Sequence, residues 1–292
     1  MLSPLQEIPD PLFSSRRVRL LIKRDDLLDP LISGNKWRKL KYNLHAFREQ
    51  NHTRLLTFGG AYSNHIHATA AAGLRYGFET IGIIRGEADT ALNPTLTFAR
   101  SCGMRLVFWS RARYRQKDSA ESLADLRQQF GRFYLLPEGG SNALAVTGCQ
   151  EIVDELMLQT DGHFDYVACA CGSGGTLTGL ALGVTGSRQA LGVAVLKGAG
   201  FLREQVSVLS QGARLGQWHL LLDQHWGGYA RAKPGLTTFC ARFEAEYDVP
   251  LEPVYTGKLV YALYQYCEAG RFPVGSTVIA LHTGGLQVRS SP

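Results

Sequence analysis

The sequence predicts an α/β protein made of two open, mostly parallel sheets covered by helices. Three observations carry this reading. Short apolar, β-branched runs alternate with longer amphipathic stretches along the chain. Three of the runs end in glycine-rich turns that open helical patterns: Gly59-Gly60, Gly139-Gly140 and Gly172-Ser173-Gly174-Gly175. The 292 residues, 45% hydrophobic and 19% charged, suit one large or two medium domains with an ordinary globular balance. That balance excludes a disordered tail, a collagen-like fibre and a coiled coil.

The β-branched runs place strands at 18–22, 55–58, 80–84, 106–109, 133–136, 166–170, 191–196, 219–222 and 277–281. Amphipathic spacing places helices near 64–76, 94–101, 118–130, 142–158, 176–183, 236–247 and 259–269, and a helix-like stretch runs from Lys36 through Leu44. Strand and helix alternate, which is the rhythm of parallel sheets. Ligands in such sheets bind beyond the carboxyl ends of strands, where glycine turns collect. Turns from separate parts of the chain therefore suggest two α/β units with a cleft between them. The smaller is expected at 44–155, the larger at 1–43 plus 156–292.

Lys plus Arg number 31 and Asp plus Glu 25, a net charge of +6. The basic residues are scattered, and their densest group (Arg111, Arg113, Arg115, Lys117) lies in one polar stretch, the pattern of a solvated face and not of a nucleic-acid site. The six cysteines form no CxxC pair, and Cys169 and Cys171 read as small apolar residues of a strand. A reducing compartment, the cytoplasm, is expected. The N-terminus has no apolar signal core, and no apolar run is long enough to span a membrane.

Several positions could carry chemistry. In Gly172-Ser173-Gly174-Gly175-Thr176, glycines free the backbone N–H groups, the hydroxyls add donors, and the helix start adds positive potential, together suited to a phosphate. No Gly-Lys-Ser/Thr follows, and Leu177 stands where a dinucleotide fingerprint has glycine, so neither of those motifs applies. A tight turn packed with small residues is the simpler alternative. Lys36, in Ser33-Gly34-Asn35-Lys36-Trp37-Arg38-Lys39, could lose its proton beside Arg38 and Lys39 and bond an aldehyde; alone it reads as a surface lysine. Ser63 and Asn64 are helix-capping types, and the helix start could also take a carboxylate. His65 and His67 point to different helix faces and make a poor metal pair; no metal is expected. Tyr229 lies beside two glycines, and Tyr255 precedes Thr256-Gly257-Lys258; either could stack on a planar ring or simply be buried. His282-Thr283-Gly284-Gly285 closes the last strand with another turn.

With these motifs in this order, the chain from about residue 5 to 288 resembles the pyridoxal-phosphate family that contains D-cysteine desulfhydrase and 1-aminocyclopropane-1-carboxylate deaminase. The resemblance implies the tryptophan-synthase-β-like fold of type II pyridoxal-phosphate enzymes and a homodimer. It implies that Lys36 carries pyridoxal 5'-phosphate, Asn64 meets the ring's phenolic oxygen, and Gly172, Ser173, Gly174, Gly175 and Thr176 hold the phosphate. Tyr229 would lie against the ring, with Thr256 and Thr283 on the cofactor side. Ser63, Asn64 and His65 would meet the substrate carboxylate, with Ser63 and Tyr255 catalytic beside Lys36. Thr256 and Thr283 replace the glutamate and leucine of the deaminase pattern, which is the desulfhydrase pattern. A neutral Thr256 would leave the pyridine nitrogen less protonated, which suits loss of a β-leaving group from a D-cysteine-like amino acid. Tyr62 stands where better-known members have glutamine, which leaves D-cysteine itself in question. The deaminase, a non-catalytic protein that binds cofactor or amino acid, and an anion-binding protein without cofactor remain alternatives.

Overall fold

In the computed structural model, which describes residues 2–87, 92–231 and 233–287, ten strands form two sheets. They are β1 (Leu5–Ile8), β2 (Arg19–Lys23), β3 (Arg54–Gly60), β4 (Glu79–Arg85), β5 (Arg105–Trp109), β6 (Tyr134–Leu136), β7 (Tyr166–Cys171), β8 (Gln189–Ala194), β9 (Gln217–Leu221) and β10 (Thr277–Leu281). The helices are α1 (Pro11–Ser15), α2 (Asn35–Glu49), α3 (Asn64–Tyr76), α4 (Pro94–Ser101), α5 (Arg111–Arg115), α6 (Ala120–Phe130), α7 (Ala143–Gln159), α8 (Gly175–Gly183), α9 (Leu202–Leu209), α10 (Pro234–Tyr247) and α11 (Thr256–Glu268). Every strand and helix predicted from the sequence is present, with ends shifted by a few residues. Four elements went unpredicted: β1, α1, α5 and α9. β1 is short, carries Gln6 and Glu7, and pairs antiparallel at the sheet edge, so it has no apolar run to read.

One sheet has the order β1-β2-β10-β7-β8-β9, parallel except for β1; the other has the order β5-β4-β3-β6, all parallel. Helices cover both faces of the larger sheet. β10 shows why its run is uniformly apolar: Val278 and Ala280 face the core under α10 and α11, while Ile279 and Leu281 face the core under α7 and α8.

Each sheet reverses its strand order once, and those reversals position the site. In the smaller sheet β4 and β6 leave β3 on opposite sides; in the larger, β8 and β10 flank β7. Crevices open at such points, beyond the strand carboxyl ends. The turns after β3, β6, β7 and β10 all reach the same cavity.

Helices α2, α7 and α8 cross at unusually close range. A Cβ on Gly148 of α7 would come within 2.1 Å of the Arg38 carbonyl oxygen, and one on Gly179 of α8 within 2.5 Å of Cys149 Cβ. Backbone cannot swing aside as a side chain can. Gly148→Ala should therefore cost about 1–3 kcal/mol by overpacking, outweighing the gain of roughly 0.5–1 kcal/mol from alanine's helix propensity. Gly200→Ala, where a Cβ meets nothing within 4 Å, should stay within about 0.5 kcal/mol of the parent in urea unfolding.

Candidate active site

A cavity of about 500 Å³ lies where the two strand reversals meet. Its walls include Lys36, Ser63, Asn64, His65, Tyr229, Tyr255 and Thr283, together with Gly172, Ser173, Gly174 and Thr176 of the turn after β7. Gly175 and Thr256 are the first residues of α8 and α11, next to the wall residues Gly174 and Tyr255.

Lys36 is in the first turn of α2. The N-cap Gly34 has φ 67°, and a Cβ there would fall 1.9 Å from the Thr283 carbonyl oxygen. Only glycine permits that approach, which seats the helix start against the end of β10. Asn35 donates to Thr176 Oγ1 at 2.8 Å and accepts from Lys36 Nζ at 2.9 Å, tying the lysine to the turn after β7. Lys36 keeps some surface towards the cavity, but protein encloses it. That burial, helped by the nearby Lys39 charge, pushes its amine down to about 7. Of the two cations expected to act on it, only Lys39 does so. Arg38 turns away and is spent on Asp25 and Glu155.

The turn after β7 is built to receive an anion. Gly174 caps α8 in the left-handed region (φ 78°), so the first N–H groups of the helix are left without side-chain partners. Ser173 Oγ lies 2.7 Å from Ser141 Oγ of the turn after β6. Lys39 Nζ donates to Ser141 Oγ at 2.8 Å and to the Gly139 carbonyl at 3.1 Å. A Cβ on Gly175 would sit 2.6 Å from Ser141 Oγ and 3.2 Å from Lys39 Nζ. A cation, two serine hydroxyls and a helix start thus converge. Sequence reasoning missed Asn35, Lys39 and Ser141 as site residues. The available signal for Lys39 was its spacing, three residues after Lys36 and on the same helix face.

Across the cavity, Ser63 caps α3 and accepts from the Ile66 N–H, so Asn64 and His65 supply the unclaimed backbone donors of its first turn. Asn64 accepts from Gln287 Nε2 at 2.5 Å. The His65 ring is buried and held neutral by that burial, with Lys36 and Lys39 adding to the effect. Thr57 donates its one hydroxyl proton to the Leu136 carbonyl (2.8 Å), so at 2.7 Å from His65 Nε2 it must accept from that nitrogen. Nδ1 is then a lone pair with no partner. A ring in that state gives nothing to a carboxylate, and what His65 offers the cavity is its backbone N–H.

Tyr255 and Tyr229 stand edge to face, with ring centres 6.1 Å apart. Burial lifts the Tyr255 hydroxyl well above the usual tyrosine range. Thr256 lies one residue further into α11. Its hydroxyl accepts from the Glu252 N–H at 3.0 Å and donates to Glu252 Oε1 at 3.2 Å. Thr283, not Thr256, brings a neutral hydroxyl to this side of the cavity.

Fold and site together define an α/β protein in which a serine–glycine turn at a helix start and an enclosed amine share one cavity. The chain belongs to the pyridoxal-phosphate dependent enzyme family, whose profile matches residues 4–284. It is similar to a Pyrococcus horikoshii protein provisionally named 1-aminocyclopropane-1-carboxylate deaminase, 29% identical over 97% of this chain and 89% of that one. An Arabidopsis thaliana bifunctional D-cysteine desulfhydrase/1-aminocyclopropane-1-carboxylate deaminase is 31% identical over 91% of this chain and 72% of its own. A crystal structure described as an ACC deaminase homologue superposes with a TM-score of 0.85 at 26% identity, covering 98% of this chain and 90% of that one. The residues present fit the coenzyme: the turn takes an anion, and the amine of Lys36 is neutral enough to be nucleophilic.

The low Lys36 value gives a pH signature. Burial penalises the ammonium, so the proton leaves earlier than from an exposed lysine. In coenzyme-free protein, competitive acetylation should show Lys36 half-reactive near pH 7, against about 10.4 for exposed lysines. A midpoint near 10 would contradict this enclosure.

Proposed function

We propose that this protein is a lyase that eliminates the β-substituent of a small, D-cysteine-like amino acid, releasing a keto acid, ammonium and the leaving group, sulfide for cysteine. The observation that carries this reading is Lys36, an enclosed amine near neutral pKa joined through Asn35 to the anion-binding turn. Bound pyridoxal phosphate supplies the electron sink that stabilises charge on the substrate's α-carbon. Lys36 is the residue that carries the coenzyme, and its free amine takes the α-proton. Tyr255, kept protonated by burial, orients the reacting carbon or gives a proton to it. Ser63, with the backbone N–H groups of Asn64 and His65, holds the substrate carboxylate, and the Asn64 amide meets the ring oxygen. Gly172 through Thr176, with Lys39 and Ser141, hold the phosphate. Tyr229 flanks the ring.

The leaving-group chemistry is favoured over cyclopropane opening by the cavity wall contributed by the larger sheet. Among its described residues that wall carries Thr283 and Tyr255 but no carboxylate; Asp118 and Glu138 come from the smaller sheet's side. Such a wall would leave the coenzyme's pyridine nitrogen less protonated, and β-elimination asks less of the sink than ring opening does.

We further read the chain as two units, 44–155 and 1–43 with 156–292, working as a cytoplasmic homodimer. The strands of each sheet fall within one unit. The six cysteines are buried and unbridged, which accords with a reducing compartment. Among the described residues, no helix is long and apolar enough to cross a membrane.

The test uses purified holoenzyme. It should absorb in the visible, borohydride should fix the coenzyme on Lys36, and Lys36→Ala should lose both signals. Turnover of D-cysteine should release sulfide, with little ammonium from 1-aminocyclopropane-1-carboxylate. Ring opening without sulfide release would establish the deaminase instead, and coenzyme binding without any turnover would leave a binding protein.

A further inference from the structure

Lys258 lies in the first turn of α11, three residues after Tyr255, and is fully buried. No carboxylate forms an ion pair with it among the described residues. Glu252, four residues before the same helix, acts on it only through its field, and burial lowers the amine to about 8. A buried ammonium is expensive, and an apolar side chain of equal length would fill the same space. What the ammonium adds is donor bonds. Nζ donates to the Gly228 carbonyl at 2.7 Å and to the Val195 carbonyl at 3.3 Å. Both acceptors adjoin cavity-wall residues, Tyr229 and Leu196.

The segment around Gly228 needs such a hold. Trp226 and Ala230 have φ of 55° and 53°, and Gly227 and Gly228 have 97° and 120°. Non-glycine residues keep that conformation only where their surroundings enforce it. Tyr229 sits at the centre of this strained loop. Its ring stands edge to face on Tyr255, and its hydroxyl donates to the Tyr62 carbonyl at 3.4 Å, beside the start of α3. The remaining ties are weaker or local: Trp226 against the Tyr261 ring, the Gly227 and Gly228 N–H groups on His225, and the Arg231 N–H on the same Gly228 carbonyl at 3.2 Å.

We propose that Lys258 is a positioning residue that, through the Gly228 carbonyl, fixes the strained 226–230 loop and so sets where Tyr229 meets the bound coenzyme and substrate. One helix turn then presents Tyr255 directly and Tyr229 through its neighbour's carbonyl. The proposal rests on the reading that this cavity holds both coenzyme and substrate.

A double-mutant cycle of Lys258→Met and Tyr229→Ala tests it on the holoenzyme. Two quantities are read: kcat/KM for the preferred amino acid, and the dissociation constant of pyridoxal phosphate from spectral titration. Lys258→Met should lower kcat/KM by about 10-fold or more with Tyr229 present, and by less than about 2-fold in the Tyr229→Ala background. Coenzyme affinity should show the same non-additivity. Equal losses in both backgrounds would reduce Lys258 to general support of the fold and overturn the proposal, as would no loss at all. Should Lys258→Met fail to fold, Lys258→Gln, which keeps a shorter donor, enters the cycle with the same expectation. If the wild-type holoenzyme turns over no amino acid, the proposed function falls, while the cycle still decides on coenzyme affinity.

Discussion

A buried network of four charges sets the face that α2 turns to the cavity. Arg38 donates to both oxygens of Asp25 (2.6 and 2.7 Å) and to both oxygens of Glu155 (2.9 Å each). Lys23 pairs with Glu155 at 2.7 Å and also donates to the Ser3 carbonyl and to Gln159. Two positive and two negative groups thus join β2, the turn after it, α2 and α7. Such a set adds little net stability over a well-packed apolar one, but removing a single partner leaves a stranded charge and costs about 3–5 kcal/mol. Its consequence here is rotational. A helix turns 100° per residue, so Lys36 stands roughly opposite Arg38, while Lys39 returns to the Lys36 side. With the Arg38 fork held by two carboxylates, Lys36 and Lys39 have only the cavity to face.

The same helix is positioned along its length by backbone contacts that exclude side chains. Gly34 meets the end of β10, and Gly148 meets the Arg38 carbonyl. At Gly284 a Cβ would fall 2.3 Å from Ser33 Oγ. These contacts fall at residues 33, 34 and 38, on the two sides of Lys36, so its amine is placed by polar partners and by steric exclusion at once. Preorganisation of this kind spares a site the cost of ordering its groups when a ligand arrives.

Much of this could be read from the sequence, for identifiable reasons. Parallel strands buried on both faces leave uninterrupted apolar runs, and every such run proved to be a strand. Glycine turns after β3, β6 and β7 marked the cavity because those positions need positive φ or close approach. What escaped reading was what depends on partners distant in sequence. Arg38 and Lys39 both looked like generic cations near Lys36, and only Asp25 and Glu155, brought in by β2 and α7, separate their roles. The state of the His65 ring was also hidden, because Thr57 and Leu136 fix which of its nitrogens carries the proton. The partner of the Thr256 hydroxyl, a glutamate four residues earlier, could not be read either. β1 and α1 were silent because their stability comes from β2 and α11, not from local pattern.

Glu252 shows how these details bear on chemistry. It is fully buried and accepts N–H bonds from Val254 (2.7 Å), Tyr255 (2.9 Å) and Thr256 (2.7 Å), serving the start of α11 where a capping side chain is otherwise absent. Burial lifts its pKa to about 7 even though those bonds favour the carboxylate. Its field adds to the burial that keeps Tyr255 protonated. On the same cavity, enclosure beside Lys39 releases the Lys36 proton near neutrality. Two titratable groups on one cavity are thus driven apart, the amine towards giving up its proton and the phenol towards keeping it. Such a divergence separates a base from an acid without any exchange of residues, and here it follows from where α2 and α11 begin.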